Sequence, residues 1–186
     1  AGQGIVTVEG DAANPGDIER AARLAVEAFG GLDGLVPCAA RSTGRGVAES
    51  DADDWAAILA LNVTGPALLA RACLPALEAS KGAIVFVASQ LALAGGRGNA
   101  PYIASKGAIM SLTRTLAVDC AASGVRVNAV APGAVETPML ERSFGRRPDP
   151  GAARAASEAR HAMGRLGQPG EIAHADETLR YCPAKC

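Results

Sequence analysis

Four short runs of apolar, β-prone residues punctuate this chain: IVTV (5–8), LDGLVPCA (32–39), AIVFVAS (83–89) and VRVNAVA (125–131). Between them, longer stretches at about 15–29, 51–79 and 101–123 carry apolar residues at helical spacing. A strand returns parallel to its predecessor only through a long crossover, and a helix is the usual one. The alternation therefore predicts an α/β fold, a parallel sheet wrapped by helices. Right-handed crossovers gather the carboxyl ends of such strands along one edge, and ligands bind there. Cys38, Ala39, Ser89, Pro132 and Gly133 fall at that edge.

At 186 residues the chain has the length of one domain, 1–186, with room for a sizeable core. Its 18 basic and 19 acidic residues leave a formal charge of −1, with no long block of either sign. Nothing in that balance suits nucleic acid or an anionic membrane surface. GAIVFVA (82–88) is too short to span a bilayer, and GPALLARACLPAL (65–77) is interrupted by Arg71 and Pro75. Five cysteines at irregular spacing read as reduced thiols in a cytoplasmic protein. CPAKC (182–186) has no second Cys or His cluster to complete a zinc site. The chain opens on AGQG without an initiator Met, as though its beginning were missing.

PYIASKGAIMSLTRTLA (101–117) sets chemistry at a helix mouth. Pro101 suits a first helical turn, and residues i and i+4 share a helix face, so Lys106 lies beside Tyr102. A neighbouring cation lowers a phenol from its usual pKa of about 10 and makes it an acid–base group at neutral pH. Ser89 closes the third apolar run, 102 − 89 = 13 residues earlier, and a glycine-bearing loop returns the chain so that strand end and helix start face one cleft. There Ser89 would donate a hydrogen bond to a substrate carbonyl oxygen while Tyr102 exchanges that oxygen's proton. In LALNVTGPALL (59–69), Pro66 has no N–H for the carbonyl of Asn62, which leaves an acceptor for an ordered water and a proton route past Lys106.

Ser89-x12-Tyr102-x3-Lys106, LNVTG (61–65), VRVNAVAPGAVETPM (125–139) and GDAANPGDI (10–18), in their order along the chain, resemble the classical short-chain dehydrogenases/reductases. The resemblance runs from about residue 5 to about 173. It implies a Rossmann-like doubly wound parallel sheet and hydride transfer between NAD or NADP and a carbonyl or secondary alcohol. It implies a catalytic tetrad of Asn62, Ser89, Tyr102 and Lys106, with Lys106 also holding the nicotinamide ribose. Asp11, with Ala12 beside it, matches the contact to the adenine end, and Ala39 falls in the motif after the family's fourth strand. Pro132, Gly133, Val135 and Thr137 match the segment lining the nicotinamide. The resemblance also implies a homodimer or homotetramer through helices 51–79 and 101–123.

The chain departs from the family in three places. Pro37-Cys38-Ala39-Ala40 stands where Asn-Asn-Ala-Gly is usual; Pro37 removes a strand donor, and Ala40 would strain a positive φ. TGRGVAE (43–49) has Glu49 where a third fingerprint glycine belongs, so the phosphate-binding loop is not in this chain. The far end, HADETLRYCPAKC (174–186), puts charges where the family continues an apolar helix, and reads as an atypical tail. The expected sheet is therefore incomplete, without the family's first two strands and its last. Its gap would undo cooperative folding and cofactor binding unless IVTV pairs directly with LDGLVPCA. The alternative reading is a catalytically silent Rossmann-like interaction module or a non-functional fragment.

Overall fold

The computed structural model describes residues 4–181. Three parallel strands form one sheet in the order β1 (Gly34–Leu35), β2 (Ala83–Val87), β3 (Arg126–Val130). Gly34 pairs with Ala83, and Ala83 with Arg126, so the three carboxyl ends share one edge as the alternation predicts. β2 is central and has Ala83 to Phe86 buried, the pattern of a strand covered on both faces. Leu77, Ile84, Phe86, Ile109 and Val127 lead the core around it.

Helix α1 (Pro15–Phe29) begins where the Asn14 side chain accepts from the Asp17 N–H at 3.1 Å, and ends at Gly30 with φ 75°. The apolar segment 51–79 is one helical path in three parts: α2 (Ala52–Leu59), a π turn (Ala60–Thr64) and α3 (Gly65–Ser80). Pro66 lies directly after the wide turn, which absorbs the donor it lacks without a sharp break. By length and composition, Ala52–Ser80 would suffice to cross a membrane. Here Ile58, Ala70, Cys73 and Leu77 are buried within the protein. After β2 come α4 (Leu91–Ala94) and α5 (Ala100–Asp119); after β3 come α6 (Pro138–Gly145), α7 (Pro150–Ala159) and α8 (Pro169–Tyr181).

Two expected strands are corrected. Residues 5–8 form no strand: no neighbour pairs with them among the described residues, and Ile5 is 93% exposed. LDGLVPCA is paired only at Gly34 and Leu35, and the chain leaves the ladder just before Pro37. IVTV therefore does not fill the place beside β1. Ala40 escapes the anticipated strain, since Lys81 is the one non-glycine with positive φ among the described residues. Of the atypical tail, residues 174–181 complete α8, where the Leu179 carbonyl accepts from Arg126 at 2.8 Å. Cys182 and Cys186 lie outside the described residues.

Candidate active site

The sheet edge collects the expected residues. Past the strand ends the ladder continues through Ala88 N–H to Val130 O at 2.8 Å and Gln90 N–H to Pro132 O at 2.9 Å. These bonds hold Ser89 beside the start of the Pro132–Thr137 segment. Ser89 is buried, and its hydroxyl accepts from the Leu91 N–H at 3.2 Å where the chain turns into α4. α5 then brings Tyr102 and Lys106 to the same edge, with the Lys106 ammonium 5.7 Å from the centre of the Tyr102 ring. A cation at that distance is attracted to the ring face.

Lys106 is 5% exposed and donates from Nζ to the Val87 carbonyl at 2.6 Å, the last residue of β2. Burial lowers its pKa to about 8, against an opposing pull from Cys38. The expected lowering of Tyr102 is not found. Burial pushes its phenol above the ordinary value, and the Ser89 hydroxyl draws it partly back. The reason is local: the Lys106 ammonium is directed to a main-chain carbonyl, and the phenol sits in a largely desolvated wall.

Asn62 is 1% exposed on the π turn, and its side chain behaves like a strand partner. Oδ1 accepts from the Arg41 N–H at 2.9 Å, and Nδ2 donates to the Arg41 carbonyl at 2.9 Å and to the Ser105 hydroxyl at 3.0 Å. Asn62 thus ties the 41–46 loop to α5, one residue from Lys106. Its amide is committed to protein groups, a role the sequence reading did not foresee for it. Ser105, Arg41 and Asn99, which accepts from the Ser42 hydroxyl at 2.6 Å, were likewise missed. Their only sequence signal was position next to predicted residues.

The cofactor residues divide in two groups. Asp11 shapes a tight turn, its Oδ1 accepting from the Ala13 N–H at 2.8 Å. Ala12 and Ala39 line one cavity of about 140 Å³ with Val36, Gly65 and Pro66. Gly65 makes this possible, because a Cβ there would lie 2.2 Å from the Ala12 carbonyl oxygen. Ile18, Leu61 and Leu69 complete a mainly apolar lining beside the close-packed turn. On the other side, the Thr137 hydroxyl donates to Val135 O at 3.2 Å and caps α6 by accepting from the Leu140 N–H at 3.3 Å. Gly133 admits a ring as expected, but the ring present is the imidazole of His161. Thr137 also borders an open groove of about 660 Å³ with Glu136, Glu141, Arg142 and Arg154. Neither cavity is lined by Ser89, Tyr102 or Lys106.

A family profile described as Enoyl-(Acyl carrier protein) reductase matches residues 1–179. Short-chain dehydrogenase/reductase aba4 of Botryotinia fuckeliana is 36% identical over 176 residues, 91% of this chain and 67% of that protein. The chain belongs to the short-chain dehydrogenase/reductase family. Another member, 2-(S)-hydroxypropyl-CoM dehydrogenase 3 of Xanthobacter autotrophicus, is 41% identical over 167 residues, 89% of this chain and 65% of the relative. The crystal structure of a short-chain dehydrogenase/reductase from Brucella melitensis, titled glucose/ribitol dehydrogenase, superposes with a TM-score of 0.85 at 36% identity. It covers 94% of this chain, which spans 68% of that structure. The three-stranded sheet is accordingly an incomplete Rossmann-like α/β fold, and dehydrogenases of this family use nicotinamide cofactors.

Proposed function

We propose that this chain carries the catalytic residues of an NAD(P)-dependent oxidoreductase acting between a carbonyl and a secondary alcohol on a small-molecule substrate. The observation that carries the reading is the meeting of Ser89, Tyr102 and Lys106 at one sheet edge, where the Ser89 hydroxyl acts on the phenol and the ammonium stands over its ring. In the reductive direction Tyr102 gives its proton to the substrate oxygen, and Ser89 donates a second hydrogen bond that disperses charge on that oxygen. Alcohol oxidation reverses both transfers. Lys106 would leave the Val87 carbonyl for the nicotinamide ribose, and its charge would then bring the phenol down. Asn62 fixes the 41–46 loop against α5 and so sets one wall of the cleft. The bound nicotinamide supplies or accepts the hydride. Ala12 and Ala39 would border its adenosine half, and Pro132, Gly133, Val135 and Thr137 the nicotinamide half.

One observation favours the silent-module reading: the Lys106 ammonium is spent on a main-chain carbonyl. Fluorescence titration with NADH and NADPH, followed by assay with ketone and secondary-alcohol panels, separates the two. Saturable binding with turnover supports the oxidoreductase, and absence of both supports the silent module.

A further inference from the structure

The turn after α7 places His161 against the Pro132–Thr137 segment, 27 residues away in sequence from Ala134. A Cβ on Gly133 would lie 2.6 Å from His161 Nε2 and 2.9 Å from Cδ2, so the glycine is what allows the imidazole to lie on the main chain. Both ring nitrogens are engaged. Nε2 stands 3.0 Å from the Ala134 N–H and Nδ1 2.7 Å from the Ser157 carbonyl. The first contact requires Nε2 to accept and the second requires Nδ1 to donate, which selects the neutral ring with its hydrogen on Nδ1. The two peptides that follow are held separately, by Gly167: the Ala134 carbonyl accepts from the Gly167 N–H at 2.9 Å, and the Glu136 N–H donates to the Gly167 carbonyl at 2.9 Å.

We propose that His161 is a positioning residue that clamps the Ala134 peptide and thereby couples the helical cover α6–α7 to the wall offered to the nicotinamide. The second half of this inference rests on the oxidoreductase reading above. With the peptides on either side tied to Gly167, Val135 is held in the segment that family resemblance matches to the nicotinamide. α7 therefore reaches that wall at two points, the His161 ring on the Ala134 N–H and the Arg154–Glu136 ion pair. Protonation of the ring turns Nε2 into a donor, so the Ala134 N–H loses its acceptor. The charged groups on the surrounding elements would not compensate. Glu136, Glu141 and Glu158 are paired with Arg154, Glu171 with Arg165, and Asp149 caps α7. Arg160 adjoins the ring in sequence and adds positive charge.

The test uses 15N-labelled protein and the variants His161→Gln, whose amide oxygen can accept from Ala134 but cannot be protonated to a cation near neutral pH, and His161→Leu. Long-range 15N–1H spectra of the ring should report hydrogen on Nδ1. Exchange of the Ala134 amide should accelerate about tenfold or more in His161→Leu and stay near wild type in His161→Gln after correction for intrinsic exchange. NADH affinity measured by fluorescence should follow the same order. Hydrogen on Nε2, or Ala134 exchange indifferent to His161→Leu, overturns the clamp. If His161→Leu fails to fold, the wild-type tautomer together with Ala134 exchange in His161→Gln decides the matter instead. Affinity equal in all three proteins overturns the coupling to the cofactor wall. A wild type that binds neither NADH nor NADPH overturns the oxidoreductase reading, while the tautomer and exchange measurements still decide the clamp.

Discussion

Lys106 carries its charge inside an apolar wall, and the cost of that placement is measurable. Its folded-state pKa is about 8 against an ordinary value of 10.5. Below about pH 8 both folded and unfolded chains hold the proton, and the folded state bears the full desolvation penalty. Between those two values the unfolded chain binds more protons, so stability rises with pH through this window. Across the window wild type should gain about 3 kcal/mol relative to Lys106→Met, whose side chain cannot titrate; thermal unfolding of both proteins near pH 7 and pH 10 reads the difference. Tyr102 makes a separate prediction. Tyr102→Phe removes only the proton carrier, so kcat should fall about 10²–10⁴-fold while NAD(P)H affinity changes less than about twofold. Turnover kinetics beside a binding titration checks both, and kcat retained above a few per cent would sink the acid–base role. The proximity of these two residues was legible because i and i+4 share one helix face. The direction of the phenol's shift was not, because it depends on where the ammonium's hydrogens go, and Val87 is 19 residues away in sequence.

The junction between the π turn and α3 is where one missing methyl group matters most. A methyl at position 65 would meet a main-chain oxygen at 2.2 Å, and main chain cannot swing aside as a long side chain can. Gly65→Ala should therefore displace the Asp11–Ala12 turn, destabilise the protein by about 1–3 kcal/mol and weaken dinucleotide binding. Chemical denaturation and NAD(P)H titration would show it, and unchanged values of both would refute the assigned close contact. Elements with strong periodicity and clear caps were legible from sequence: α1 matches its expected span of 15–29, and β2 and β3 each fall within their runs. The failures have physical causes. IVTV has the composition of a strand, but a strand exists only with a partner, and residues 5–8 pair with none among the described residues. α6 and α7 went unread because their segment, 140–163, is rich in Ala, Arg and Pro rather than in a periodic apolar face; Thr137 and Asp149 start these helices by side-chain capping. His161 gave no signal, since its partners come together only after α7 has packed on the sheet edge.

At the scale of the molecule, two helical paths remain unusually apolar toward the outside. α5 buries Ser105, Lys106 and Ile109 yet leaves Val118 77% exposed, and Leu59 at the end of α2 is 37% exposed. α2–α3 and α5 are the surfaces through which a symmetric dimer or tetramer is expected, each copy offering the same patch to the other. Light scattering should return twice or four times the 18.7 kDa chain mass, and a strict monomer at micromolar concentration would remove this expectation. The opposite border of the sheet has a different consequence. β1 is hydrogen-bonded only to β2 among the described residues, so the outer side of Gly34 and Leu35 presents free peptide groups beside the half-exposed Val36. Such a border is a template for any extended segment that drifts against it, and a formal charge of −1 offers little repulsion between copies. The colloidal behaviour of a concentrated solution is then governed by a few peptide units: turbidity should climb steeply with concentration, and Val36→Lys should clear it.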